Sequence, residues 1–166
     1  MNQEITDPKG MLKTVLLQEE ALQFERFSAE DGWKLGLLLR EHLLRHSGDA
    51  AADVTAYGVQ CFRCTVGAAT PNNARWIRRK MAMVMENGKS SLRTMLEMHL
   101  SGRTLTEFGL NAEDFALSGG CFPIRLRGQG VVGMVTVSGL PQTHDHQTAA
   151  DAVAAYLSVA APSILG

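Results

Sequence analysis

Residues 118–146 limit the fold more than any other part of the chain. Phe122, Ile124 and Leu126 alternate with Pro123, Arg125 and Arg127, the pattern of a strand with one buried and one wet face. Pro123 brings no N–H to a ladder, so it marks a strand start, a bulge or an edge. Gly128-Gln129-Gly130 follows as a tight hairpin loop in which glycine supplies positive φ. Residues 131–137 are apolar apart from Thr136, which predicts a central strand covered on both faces. Gly139-Leu140-Pro141 ends that strand. Asp145 is placed to cap a last helix over about 146–159, with Ala149, Ala150, Val153, Ala154 and Leu157 as a small-residue face.

The rest of the chain fits around this hairpin. Residues 1–10 lack periodicity and read as a mobile arm, and 11–166 as one domain. A short helix is expected over 11–21 and a first strand over 22–27. Ser28 and Asp31 have capping-box spacing before a broadly apolar helix that contains Trp33, Leu37 and Leu44. Gly36 within it predicts close approach to a strand. Residues 54–57 and 60–66 read as a hairpin turning near Gly58. Asn72 or Asn73 can cap a helix over 74–86, and Ser90 or Ser91 a shorter one through Met98. Residues 111–114 have helix-start chemistry for one further turn. Hairpins in place of βαβ crossovers imply an α+β fold with a mainly antiparallel sheet and helices on its faces.

Sixteen basic against seventeen acidic side chains leave a net charge of −1. Global charge therefore gives no pull toward nucleic acid or an anionic membrane. The longest apolar runs are far too short to span a bilayer, and the N-terminus lacks the basic-then-apolar run of a secretory signal. An odd cysteine count of three argues against a disulfide framework. A reduced, cytoplasmic protein is expected.

Four places could carry chemistry. Cys61-x-x-Cys64 falls in a predicted strand, where residues three apart point to opposite faces, so burial as small apolar groups outweighs a redox or zinc role. His144-Asp145-His146 joins two imidazoles, usual ligands of haem iron and zinc, to a helix start. The plainer reading is a capping aspartate between exposed histidines. Arg75, Arg78, Arg79 and Lys80 surround Trp76, which lies off the apolar face of its helix. Such a cluster suits a carboxylate or phosphate, or simply a solvated face. Ser118-Gly119-Gly120 can expose backbone N–H groups to an anion, or only make a turn. No Walker loop, GxSxG or HExxH occurs. No metal site is expected, and no catalytic residue can be named.

Three segments taken together resemble a known family. They are Asn72-Asn-Ala-Arg-Trp-Ile-Arg-Arg-Lys80, Gly88-Lys-Ser-Ser91, and Gly119-Gly-Cys-Phe-Pro-Ile124 leading through 130–142 to Asp145-His146. This pattern is similar to the haem-degrading-domain family, in its uncharacterised-protein branch, over about residues 17–156. The resemblance implies a profilin-like, three-layer α/β/α fold with about five strands, and a homo-oligomer, dimer or larger. It implies a small-ligand-binding module that takes haem or a small anion, with no established activity. A non-enzymatic assembly or adaptor protein is the alternative. Carried over by position, Asn73, Trp76, Lys80, Gly120 and His146 become the candidate ligand-binding residues. Gly120 and His146 flank the hairpin, which would bring them to one end of the sheet.

Overall fold

The hairpin predicted at 118–146 forms. In the computed structural model, which describes residues 5–166, β3 (Cys121–Leu126) and β4 (Gly130–Ser138) pair antiparallel. β1 (Ala50–Ala56) and β2 (Val59–Val66) form the second hairpin, and β1 lies against β4. The sheet is thus antiparallel throughout, in the order β2-β1-β4-β3. β4 is central, as its unbroken apolar run requires, and Pro123 lies on an edge strand, where a missing donor is tolerated.

Among the described residues the sheet has four strands, not five. Residues 22–27 contribute one parallel bridge, in which the Phe24 N–H donates to Arg125 O at 2.8 Å and Phe24 O accepts from Arg127 N at 2.9 Å. Phe24 and Phe27 both turn into the core, with their rings edge to face at 5.0 Å. A spacing of three cannot be kept on one face of an extended strand, so the pairing stops.

Among the described residues there are five α-helices, and the last four pack on the sheet. α2 (Ala29–Leu43) and α5 (Gln142–Leu157) lie on one face, and α3 (Pro71–Asn87) lies on the other. α2 starts with the capping box the sequence predicts, Ser28 with Asp31. Gly36 is where α2 meets the sheet, since a Cβ there would lie 2.1 Å from the Phe62 ring. The α2 and α5 side holds the main apolar core, built from Leu35, Leu39, Val54, Phe122, Ile124, Val135, Ala149 and Val153. α4 (Ser91–Ser101) packs beside α3 and against α1 (Pro8–Ala21). Glu19 of α1 is nearly buried and accepts from the Ser90 N–H and from Arg93 Nη1, each at 2.8 Å.

Several boundaries differ from expectation for local reasons. α1 begins at Pro8, where Asp7 accepts from the Gly10 N–H. The expected arm over 1–10 falls, at residues 1–4, outside the described residues. α3 begins at Pro71 with Thr70 as its cap, which puts Asn73 third in the helix, accepting from the Thr70 N–H at 2.8 Å. α5 begins at Gln142, directly after Pro141, so Asp145 is its fourth residue and not its cap. Residues 111–114 form a turn, because Asn111 Oδ1 accepts from the N–H groups of Glu113 and Asp114. The bulge in β2 falls at Cys61, between Gln60, which pairs with Thr55, and Phe62, which pairs with Val54. Cys61 and Cys64 therefore both pack against the α2-side core, where a regular strand would have sent them to opposite faces.

Candidate functional site

α3 carries two different faces, and the candidate residues divide between them. Inward, Ile77, Lys80, Met83 and Val84 are buried against the sheet. Lys80 is 2% exposed. Its ammonium donates to Asp145 Oδ2 at 2.7 Å and to the Val137 carbonyl at 3.0 Å. Asp145 Oδ1 also accepts from the Leu140 N–H at 2.9 Å. Burial pushes the Asp145 carboxyl up, against the Lys80 ammonium and the backbone N–H that hold it ionised.

Gly120 completes this buried group. It has φ +128°, and a Cβ there would sit 2.6 Å from Lys80 Nζ and 2.5 Å from Val137 O. Only glycine leaves room for the lysine head. The neighbouring Gly119 N–H donates to Gln142 Oε1 at 3.2 Å, so it is not offered to an anion.

His146 is fully buried close by, its ring edge to face with Phe122 at 5.7 Å. Its Nε2 lies 2.9 Å from Gln18 Oε1. The Gln18 amide donates to Gln147 Oε1 and to Pro162 O. That leaves Gln18 Oε1 as the acceptor and fixes the proton of His146 on Nε2. Nδ1 has no hydrogen-bond partner. Burial, and secondarily the Lys80 charge, lowers its pKa to about 3, so the ring is neutral and sealed from a ligand. Gln18 and Gln147, which hold it, carry no signal in the sequence, since amides at these positions match no motif.

The outward side of α3 is a different place. Trp76 is half-buried, and the Arg79 guanidinium lies over its ring at 4.5 Å. Arg79 Nε is buried and unpartnered, and among the described residues Arg79 forms no ion pair. Arg78 donates to Asp114 Oδ1 and Glu113 O, each at 3.1 Å, and so pins the 111–114 turn against the helix. The result is a groove of about 410 Å³ lined by Arg75, Trp76, Arg78, Arg79, Asn72 and Glu113, with Ala112 at its wall. Its volume is within the range of small-molecule sites. Asn73 does not line it. The Asn73 amide donates to Ser138 O at 3.0 Å, tying the start of α3 to the end of β4.

Lys80, Gly120 and His146 are thus brought together inside the protein. Trp76 stands apart on the outer groove, and Asn73 is a structural tie. His144, already singled out in the sequence, has a neighbour that was not. His46, in the loop after α2, sets its ring edge to face with His144 at 6.1 Å beside a small pocket. Its pKa is lowered, first by burial and then by His144. No group of three or more His, Cys, Asp or Glu among the described residues could hold a metal ion.

Comparison with known proteins places this arrangement. The family model described as "Haem degrading protein HbpS-like" matches residues 27–154. A UPF0303 protein of Rhizobium rhizogenes is 40% identical over 143 residues, covering 86% of this chain and 88% of its own length. One from Burkholderia mallei is 42% identical over 147 residues, covering 88% and 89%. Among solved structures, the Ybr137w protein is similar with a TM-score of 0.81 at 25% identity, over 89% of this chain and 87% of that one. The PduOC:heme complex shares the fold, with a TM-score of 0.64 at 17% identity over 78% and 94%. The buried Lys80–Asp145 pair, Gly120 and the α3 groove all fall inside the matched segment, and the chain belongs to the HbpS-like haem-degrading protein family.

Proposed function

We propose that the protein is a small-ligand-binding module of the haem-degrading-domain type, taking a flat, anionic ligand in the Trp76 groove. The observation that carries this reading is Arg79. It is an uncompensated guanidinium, held over the ring of a half-buried tryptophan, with one N–H lacking a partner. Together the pair offers a stacking face and a carboxylate-binding fork. Three guanidinia line or border the groove against the two carboxylates of Glu113 and Asp114, so its local balance is positive.

Haem is the first ligand to test, given the family and the haem held by PduOC. The residues present fit the macrocycle and its carboxylates. They do not fit iron ligation by His146, whose one free nitrogen is buried. The groove itself is lined by no imidazole, thiol, thioether or phenol. Haem would therefore be held there by stacking over the Arg79–Trp76 pair, with Arg75 at its carboxylates.

Haemin titration followed at the Soret band tests this. Saturable binding is expected for the native chain, weakened at least tenfold in Arg79→Ala and Trp76→Ala and unchanged in His146→Gln. Binding abolished in His144→Ala but retained in Trp76→Ala would overturn the groove assignment. So would the absence of saturable binding. The three free thiols are in keeping with a reducing, cytoplasmic setting. We further expect the module to work as a homo-oligomer, to be checked by light scattering.

A further inference from the structure

We infer that the turn at 111–114 is the selectivity wall of the α3 groove, set in place by Arg78 and charged by Glu113, and that it limits the ligand to a flat molecule with its anionic groups along one edge. The inference rests on the groove reading above and narrows its ligand class.

The groove has two walls of different origin. Asn72, Arg75, Trp76 and Arg79 recur at three- and four-residue steps along α3 and so share one face of it. Ala112 and Glu113 make the other wall. This second wall belongs to no helix or strand, so its place depends on how it is tied to α3. The Ala116 N–H donates to the Arg79 carbonyl at 3.2 Å, just past the turn. Arg78 supplies the other tie, with one terminal nitrogen on Asp114 Oδ1 and the other on Glu113 O. Its fork is spent on the wall, so Arg78 is a positioning residue and not a ligand contact. Without it, the Asn111 bonds would still shape the turn but would not hold it against the helix.

The same ties decide which charges face a ligand. Asp114 Oδ1 accepts from Arg78 and Oδ2 from the Asn111 amide, each at 3.1 Å, so its charge is matched. The Glu113 carboxylate forms no ion pair among the described residues, and neither Arg75 nor Arg79 does. The groove is therefore positive along α3 and negative along the turn. A ligand whose carboxylates lie on one edge can turn that edge to the arginines and its uncharged side to Glu113. A disc with carboxylates all round sets one of them toward Glu113 in any orientation, and like charges so juxtaposed reject a partner. Metal-free protoporphyrin is of the first kind and uroporphyrin of the second.

The test is the binding of these two porphyrins to the full chain, followed by fluorescence at low ionic strength, where surface charge is least screened. The native chain should bind protoporphyrin about fivefold or more tighter than uroporphyrin, and Glu113→Gln should bring the two affinities within about twofold of each other. Positioning is read without a ligand. In a Trp33→Phe chain, where Trp76 is the one tryptophan left, Arg78→Gln should raise the quenching of Trp76 by acrylamide. Arg78→Lys should restore part of the protection, with circular dichroism as the folding control. Equal affinities in the native chain, or a preference unchanged by Glu113→Gln, would overturn the selectivity wall while leaving the groove in place. Trp76 quenching unmoved by Arg78→Gln would overturn the positioning role of Arg78. Binding of neither porphyrin would overturn the groove reading, and this inference with it.

Discussion

An ammonium group taken out of water is stable only where its protons are matched, and Lys80 meets that condition through Asp145 Oδ2 and the Val137 carbonyl. The pair ties α3 to the start of α5 and to the end of β4. Removing one partner leaves the other charged and buried, so Lys80→Met should destabilise the fold by about 3–5 kcal/mol in chemical denaturation. Gly120→Ala should cost about 2 kcal/mol or more by pushing a methyl group into the same space at a φ that alanine resists. Loss of under about 1 kcal/mol in both would mean that the buried group is not a structural pin. At this scale the sequence was only partly readable. The family pattern points to Lys80, Gly120 and His146 together, but it cannot distinguish a ligand site from a buried brace, because burial is decided by elements distant in the chain. Asp145 was visible as a helix-start residue. Its partner, 65 positions away, was not.

Among the elements, α5 carries the main pH dependence. Its His146 is neutral in the folded protein, with a pKa lowered to about 3, against an ordinary value of 6.5. The unfolded chain therefore binds a proton that the folded chain refuses between those limits. The stability associated with His146 is complete above about pH 6.5 and is lost as pH falls toward 3, at up to about 1.4 kcal/mol per pH unit. Burial of Asp145 acts in the opposite sense at the acid end, so comparison with a variant isolates the histidine. His146→Gln should flatten the decline between pH 6.5 and 4.5 in denaturant unfolding series. An identical slope in the variant would show that the ring is not the proton acceptor. Elements were the most legible level of this protein. The alternation in β3, the apolar run of β4, the Ser28–Asp31 capping box and the tight seat of Gly36 were each visible in the sequence. Helix starts were misplaced where Pro71 and Pro141 opened a helix ahead of a more conspicuous Asn or Asp. The extra strand at 22–27 failed because two phenylalanines three apart share one core.

For the whole molecule, the three thiols report how stability is distributed. Cys121 is fully buried between α3 and the sheet, and its sulfur accepts from the Thr136 hydroxyl at 3.1 Å. Burial pushes its pKa up to about 12, so it reacts only when α3 leaves the sheet, which requires general unfolding. Cys61 and Cys64 are half-buried on β2, an edge strand paired on one side only and broken by a bulge. Such a strand opens locally at lower free energy than the centre of the sheet. A thiol-reactive disulfide reagent in excess should therefore give two phases. Two thiols react first, and the third follows at the unfolding rate, with the slow phase absent in Cys121→Ser. A single phase for all three thiols would mean that the sheet opens as one unit and that its β2 edge is no weaker than its centre.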